Sequence, residues 1–317
     1  MDNSKIDIGM YLKDRRVQYA MIALALISGI IVIAYVMPPL NSGGNDNIAN
    51  NTTLLIDTNS NNNKIDNKVV SGQEIRFIVV GDPHIKSSSS GSDRGNERLR
   101  KVIKFADSSN VDFVVFLGDI ADDGKNKTYD IAKGIIQNST KPYYTVAGNH
   151  DVKPGPENFE AHFGKEEHLE NIKGYQLIFP GLYFEGESKL HWSFNFSKAN
   201  ISVPTLVFMH GPTVEPPSDI KSCKWGPDFF GYGQSMQPEL NKFSSMIAEY
   251  TGHVHYNTDQ TINGIRYVTV NGLVDKAGGC DNEGPSPYVG YTRIKNGKTD
   301  YMLVDYNGQF KDPFPDK

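Results

Sequence analysis

Residues 75–84 read IRFIVVGDPH. The apolar run is too short for a helix and does not alternate, which is the pattern of a strand buried on both faces. Gly-Asp-Pro then closes it. The pattern recurs at 113–119 (FVVFLGD) and at 143–151 (YYTVAGNHD). Between these runs Leu99, Val102, Ile103 and Ala106, and then Ile131, Ala132, Ile135 and Ile136, fall on single helical faces. The order β-α-β-α-β predicts parallel strands covered by helices. In open α/β sheets, ligands bind just beyond the carboxyl ends of such strands.

Further along, Leu182–Gly186, His191–Phe196 and Thr205–Met209 read as strands, and Leu240, Phe243, Met246, Ile247 and Tyr250 share one helical face. Asn263-Gly264 and Asn296-Gly297, each between β-type runs, predict hairpins around Ile262/Ile265 and Ile294/Tyr301. The expected fold class is α/β, a sandwich of two sheets. No internal repeat points to a solenoid or propeller.

Composition sets the outer limits. With 317 residues, 38% hydrophobic and 22% charged, the chain has enough apolar material for a large core. The formal net charge of −5 supplies no basic excess for counterion-driven binding to nucleic acid, so none is expected. Two cysteines, Cys223 and Cys280, are too few for a four-cysteine zinc module, and sequence does not decide whether they pair.

Residues 17–40 contain no charged side chain, and YAMIALALISGIIVIAYVM within them suits a helix crossing a bilayer core of about 30 Å. Lys5, Lys13, Arg15 and Arg16 precede it, and no basic residue follows before Lys64. The positive-inside rule then makes 1–16 a cytoplasmic segment and places the rest outside the cell membrane. A cleaved signal peptide is the competing reading. The run is longer than a usual signal core and no A-x-A site follows, which favours a retained single-pass anchor. Residues 41–73, rich in Asn, Ser, Gly and Asp, read as a flexible tether, leaving 74–317 as the folded domain. Glycosylation-type N-x-S/T patterns at Asn50, Asn51, Asn126, Asn138, Asn195 and Asn200 suit an exported domain.

The chemistry-bearing residues stand at the ends of the expected elements. Asp82 and His84 follow the first run, Asp119 the second, and Asn149, His150 and Asp151 the third. His210 follows Thr205–Met209, and His253 and His255 close the set. Any one alone would read as a turn residue or a satisfied polar side chain. Jointly they form a nitrogen and oxygen donor set suited to borderline divalent metals: Mn, Fe, Zn or Co.

The series D-x-H, G-D, G-N-H-D, H, G-H-x-H resembles the calcineurin-like metallophosphoesterase family over roughly Ile75 to Tyr306. That resemblance implies a four-layer αββα sandwich and two divalent metal ions. Asp82, His84 and His255 would hold one ion, Asn149, His210 and His253 the other, with Asp119 bridging them. His150 would contact the phosphoryl group and protonate the leaving oxygen, with Asp151 orienting its ring. The implied reaction is hydrolysis of phosphomonoesters or small phosphodiesters such as nucleotides. A lipid- or sugar-linked pyrophosphatase and a metal-binding ectodomain without turnover are the alternatives. Asp122 occupies the position where the purple acid phosphatase pattern has tyrosine, so a tyrosinate-iron centre is not expected. Asp122 and Asp123 read as loop solvation or capping residues.

Substrate selection is expected from loops at 87–95, 212–233 (with Trp225, Phe229, Phe230 and Tyr232) and 275–288. Arg94 is a candidate clamp for a phosphate oxygen, against the plainer reading of a solvated side chain. Oligomeric state is not legible.

Overall fold

The computed structural model describes residues 73–87, 94–185, 189–215, 217, 235–274 and 286–315, all within the unit running from Lys64 to Lys317. The expected membrane span at 17–40, the tether at 41–72, both cysteines and the aromatic residues of 225–232 lie outside them. Among the described residues no helix is long and apolar enough to cross a membrane.

Strand β1 (Ile75–Val80) is buried along its whole length. Side chains alternate across a strand, so Ile75, Phe77 and Val79 enter one apolar cluster while Ile78 and Val80 enter another. The second cluster includes Leu99, Val102 and Ile103 of α1 (Gly95–Ser108) and Ala132, Ile135 and Ile136 of α2 (Asn126–Ile136). The helical spacing read in the sequence is therefore the face that covers the sheet. Strands β2 (Phe113–Phe116) and β3 (Tyr143–Thr145) continue parallel to β1.

Two short helices follow, α3 (Asn149–Val152) and α4 (Glu157–Phe163). Then come β4 (His168–Ile172), β5 (Tyr175–Phe179), β6 (Gly181–Glu185), β7 (Lys189–Ser193) and β8 (Thr205–Phe208). A four-residue helix α5 (Gln237–Leu240) precedes β9 (Met246–Thr251), β10 (Thr258–Ile262), β11 (Ile265–Thr269), β12 (Tyr288–Lys295) and β13 (Lys298–Asp305). One sheet has the order β13-β12-β1-β2-β3 and the second β10-β11-β9-β8-β5-β4, with β6-β7 as a separate hairpin. Phe77 stacks on Phe113 at 5.1 Å and meets Phe208 and Tyr250 of the second sheet edge to face at 5.6 and 5.2 Å, which marks the interior of the two-sheet sandwich.

Three expectations need correction. The helix read from Leu240 to Tyr250 is a helical turn followed by a central strand: β9 lies between β8 and β11, parallel to both. Ala248 and Tyr250, two residues apart, enter the same cluster as a strand's alternation requires, and pairing with two neighbours decided the matter. Strands β4 and β5 went unread because their turn is Lys173-Gly174. It has positive φ at both residues (51° and 86°), as do Asn263-Gly264 and Asn296-Gly297, but Lys is a weak signal for that geometry. Lastly, the layer of helices expected over the second sheet is thin. Between β4 and β11 the described residues contain only α5 and a 3-10 turn at Phe196–Lys198.

Candidate metal centre

The carboxyl ends of five strands deliver the site. Asp82 and His84 follow β1, Asp119 follows β2, Asn149 and His150 open α3 after β3, His210 follows β8, and His253 and His255 follow β9. Asp82, His84, Asp119, His253 and His255 all have positive φ, from 36° to 69°. For residues with a Cβ this region costs about 1–3 kcal/mol each, so the surrounding fold must hold them there. Glycines make the approach possible. A Cβ on Gly148 would run into the backbone and carboxylate of Asp119, and one on Gly252 into the carboxylate of Asp82.

Among the described residues three groups of donors result: two built on Asp119, and a third of His84, Asp122 and His150 that shares His84 with the first. Asp82, His84, Asp119 and His255 present ligand atoms within 4.8 Å of one another, and so do Asp119, His210 and His253; only Asp119 is in both. In the first group His84 Nε2 lies 3.2 Å from His255 Nε2 and 3.3 Å from Asp119 Oδ2, and His255 Nε2 lies 3.6 Å from Asp82 Oδ1. In the second, His210 Nε2 lies 3.1 Å from His253 Nδ1, 3.0 Å from Asn149 Oδ1 and 3.4 Å from Asp119 Oδ1. The two oxygens of Asp119 thus face different groups. Asp82 is further fixed by the His253 backbone N–H, which donates to it at 2.9 Å, and His210 Nδ1 by the Leu117 carbonyl at 2.8 Å. Nδ1–H donates to Leu117, which leaves Nε2 of His210 facing the cluster, where it would give up its proton for a metal to bind.

The electrostatics fit a cation site. Burial alone would raise the Asp119 carboxyl, but His210, His84 and His150 together hold it well below the usual carboxylate range. Burial lowers His210 and Asp119 more than reverses this, pushing it up to about 9. His84 is likewise raised against burial by Asp119 and Asp122. His253 is held well below its ordinary value by burial and by the positive His210 beside it, so it is a neutral nitrogen donor. Buried carboxylates converging on buried imidazoles, with ring nitrogens little more than 3 Å apart, form a donor set that divalent ions would fill.

Two sequence expectations turn out differently, those for Asp151 and Asp122. Asp151 does not orient His150. Its buried carboxylate accepts hydrogen bonds from the backbone N–H groups of Ile120, Ala121 and Gly148 and from the Tyr129 hydroxyl, all at 2.9–3.0 Å. It is a clamp between the loops after β2 and β3, and burial beside Asp119 pushes its pKa up to about 6. The His150 ring is held by a backbone group instead, its Nδ1 2.7 Å from the Asp122 carbonyl oxygen. Asp122 is more than a loop residue: its Oδ1 lies 3.1 Å from His84 Nδ1. Arg94 sits exposed ahead of α1, and among the described residues no hydrogen bond or ion pair joins it to the cluster.

Comparison with known proteins agrees with this geometry. A family model described as calcineurin-like phosphoesterase matches residues 75–256, more than half of the chain. A curated relative from Arcobacter nitrofigilis, named a probable glycerophosphodiester phosphodiesterase GpdQ, is 25% identical over 232 residues, covering 64% of this chain and 81% of the relative. Among solved structures, a dimetal phosphatase from Danio rerio superposes with a TM-score of 0.50 at 14% identity, covering 73% of this chain and 99% of that one. A purple acid phosphatase from yellow lupin (Lupinus luteus) seeds gives 0.52 at 15% identity, covering 74% of this chain and 53% of that one. These two likenesses show the shared fold. The family match, together with a buried Asp/His cluster that fits a dinuclear metal site, makes this chain a member of the calcineurin-like phosphoesterase family and a metal-dependent phosphoester hydrolase.

Proposed function

We propose that the protein hydrolyses small phosphodiesters or phosphomonoesters, nucleotides among them, at the centre built around Asp119. The observation that carries this reading is the sharing of Asp119 by two donor groups. Asp82, His84 and His255 would hold one divalent ion and Asn149, His210 and His253 the other, with Asp119 between them. Mn, Fe, Zn and Co all suit these donors. When bound, such a pair supplies Lewis acidity toward phosphoryl oxygens and lowers the pKa of water from about 15.7 towards about 7.

The protein's own residues do the rest. Asn149 and His150 are the half-buried members of the set and stand on the side that a substrate reaches. His150 donates Nδ1–H to the Asp122 carbonyl, which leaves Nε2 to pass a proton to the departing oxygen. Asp119 accepts the His150 backbone N–H at 2.8 Å, so the acid is positioned by the same residue that organises the metals. The diester is favoured as substrate because the Arcobacter relative is named as a phosphodiesterase.

The test is hydrolysis of p-nitrophenyl mono- and diesters by manganese-loaded wild type and Asp119→Asn. Metal-dependent turnover abolished by the substitution supports the reading. Equal turnover by both would sink it, and no turnover by wild type carrying two metals would favour a lipid- or sugar-linked pyrophosphate, or the ectodomain without turnover. The uncharged segment at 17–40 supports a further part of the reading: a single-pass anchor holding the catalytic domain outside the cytoplasm. Protease digestion of the domain on intact cells checks that placement.

A further inference from the structure

We infer that the outer edge of β13 is a pairing surface for a second copy of this chain, joining the β13-β12-β1-β2-β3 sheets of two molecules antiparallel about a twofold axis at Met302. The inference is independent of the chemistry proposed around Asp119.

Among the described residues β13 is the longest edge strand, with eight residues against three to five in β3, β4, β6, β7 and β10. Edges are usually blunted by charge, proline or a bulge. The run Tyr301–Val304 has none of these, and its register with β12 is unbroken. The two-residue turn Asn296-Gly297 makes Lys295 and Lys298 the closing pair of the hairpin. Lys298, Asp300, Met302 and Val304 therefore bond to β12, while Thr299, Tyr301, Leu303 and Asp305 turn N–H and C=O outward. The Thr299 carbonyl agrees with this phase and is already taken, accepting from Arg266 Nη1 at 2.8 Å. At the other end the chain leaves the edge in the turn after Asp305. Tyr301 and Leu303 remain, and among the described residues nothing bonds their outward groups. They flank Met302 and so are self-complementary. Rotation about Met302 sets Tyr301 of one copy opposite Leu303 of the other, where each pair exchanges both N–H···O=C bonds. The side chains fit the same register. Met302, 46% exposed, covers its own counterpart, and Asp300 lies opposite Val304. Lys298, its side chain 80% exposed, arrives beside exposed Asp305 of the second copy, so opposite charges meet at both ends and like charges do not. Met302 and Val304 also line an open groove of about 660 Å³ with Phe105 of α1 and Pro313, which adds apolar surface next to the axis.

The experiment uses the full-length protein in detergent. In a background of Cys223→Ser and Cys280→Ser, single cysteines are placed as Met302→Cys or Lys298→Cys, and disulfide formation under mild oxidation is read on non-reducing gels. Opposed residues that share no ladder bond have Cα atoms about 4.5 Å apart, within disulfide range, so Met302→Cys is expected to give a covalent dimer. Lys298→Cys is the more exposed thiol, but its counterpart would lie about 27 Å away along the strands at about 3.4 Å per residue, so it is expected to stay monomeric. Adding Leu303→Pro to Met302→Cys removes an outward N–H without touching the β12 ladder and should abolish the product. By sedimentation, wild type is expected to be a concentration-dependent dimer and Met302→Lys, which sets like charges face to face, a monomer with an unchanged melting temperature. No product from Met302→Cys, equal cross-linking of Lys298→Cys, or the same mass for wild type and Met302→Lys would each overturn the inference. Slow hydrogen exchange at Tyr301 and Leu303 in a protein that stays monomeric would assign the edge to another part of the chain and overturn it as well.

Discussion

At the residue scale, His150 and Asp151 are adjacent and do opposite work. His150 keeps one ring nitrogen on the Asp122 carbonyl and the other for the substrate, whereas Asp151 is committed to the backbone of two loops and to the Tyr129 hydroxyl. His150→Ala is expected to lower kcat by about 10²–10⁴-fold while leaving two metals per chain. The loss should be larger for alkyl esters than for p-nitrophenyl esters, whose leaving group needs no proton. Asp151→Ala should instead lower the melting temperature, because three buried N–H groups lose their acceptor at about 1–3 kcal/mol each. Kinetics and thermal melts of the two variants separate these outcomes. The convergence of Asp82, Asp119, His210 and His253 was legible because each follows an apolar run at a fixed short distance. The His84 partner of Asp122 and the Ile120 and Ala121 partners of Asp151 were not, since they lie 38, 31 and 30 positions away.

At the element scale, β9 shows both what sequence pattern conveys and what it leaves out. Its apolar residues fit a helical period as well as a strand, and only its place between β8 and β11 settles which applies. The same strand carries Glu249, buried, whose oxygens accept from the N–H and hydroxyl of Thr213 at 3.0 and 2.5 Å. Those bonds moor the chain just beyond His210, at the root of the 216–234 segment. Burial pushes Glu249 up to about 7 from an ordinary 4.5, so the folded state binds its proton more tightly than the unfolded one. Its contribution is then complete below about pH 4.5 and is lost as pH rises through about 7, a change on the order of 3 kcal/mol at most. Glu249→Gln should flatten that loss, raising the melting temperature at pH 8.5 relative to wild type. Melts of both proteins from pH 5 to 8.5 provide the check, and parallel curves would contradict it.

At the scale of the whole molecule, two sheets converge their strand ends on a single carboxylate. The parallel set β1-β2-β3 supplies Asp82, Asp119 and Asn149, and the parallel pair β8-β9 supplies His210, His253 and His255. Neither sheet alone holds either donor group built on Asp119. Between the two sheets Phe77 meets Phe208 and Tyr250 edge to face. Metal loading should accordingly stabilise the folded domain, by about 2.7 kcal/mol at a hundredfold excess over the dissociation constant. A rise in melting temperature on adding Mn²⁺, reversed by chelator, checks this. The most direct test of the central claim is an anomalous difference map from crystals of the manganese-loaded domain, collected at the manganese edge. Two peaks about 3.5–4 Å apart, one on each side of Asp119, are the predicted result. A single peak, or peaks away from Asp119, in protein that still hydrolyses phosphoesters would contradict the dinuclear account.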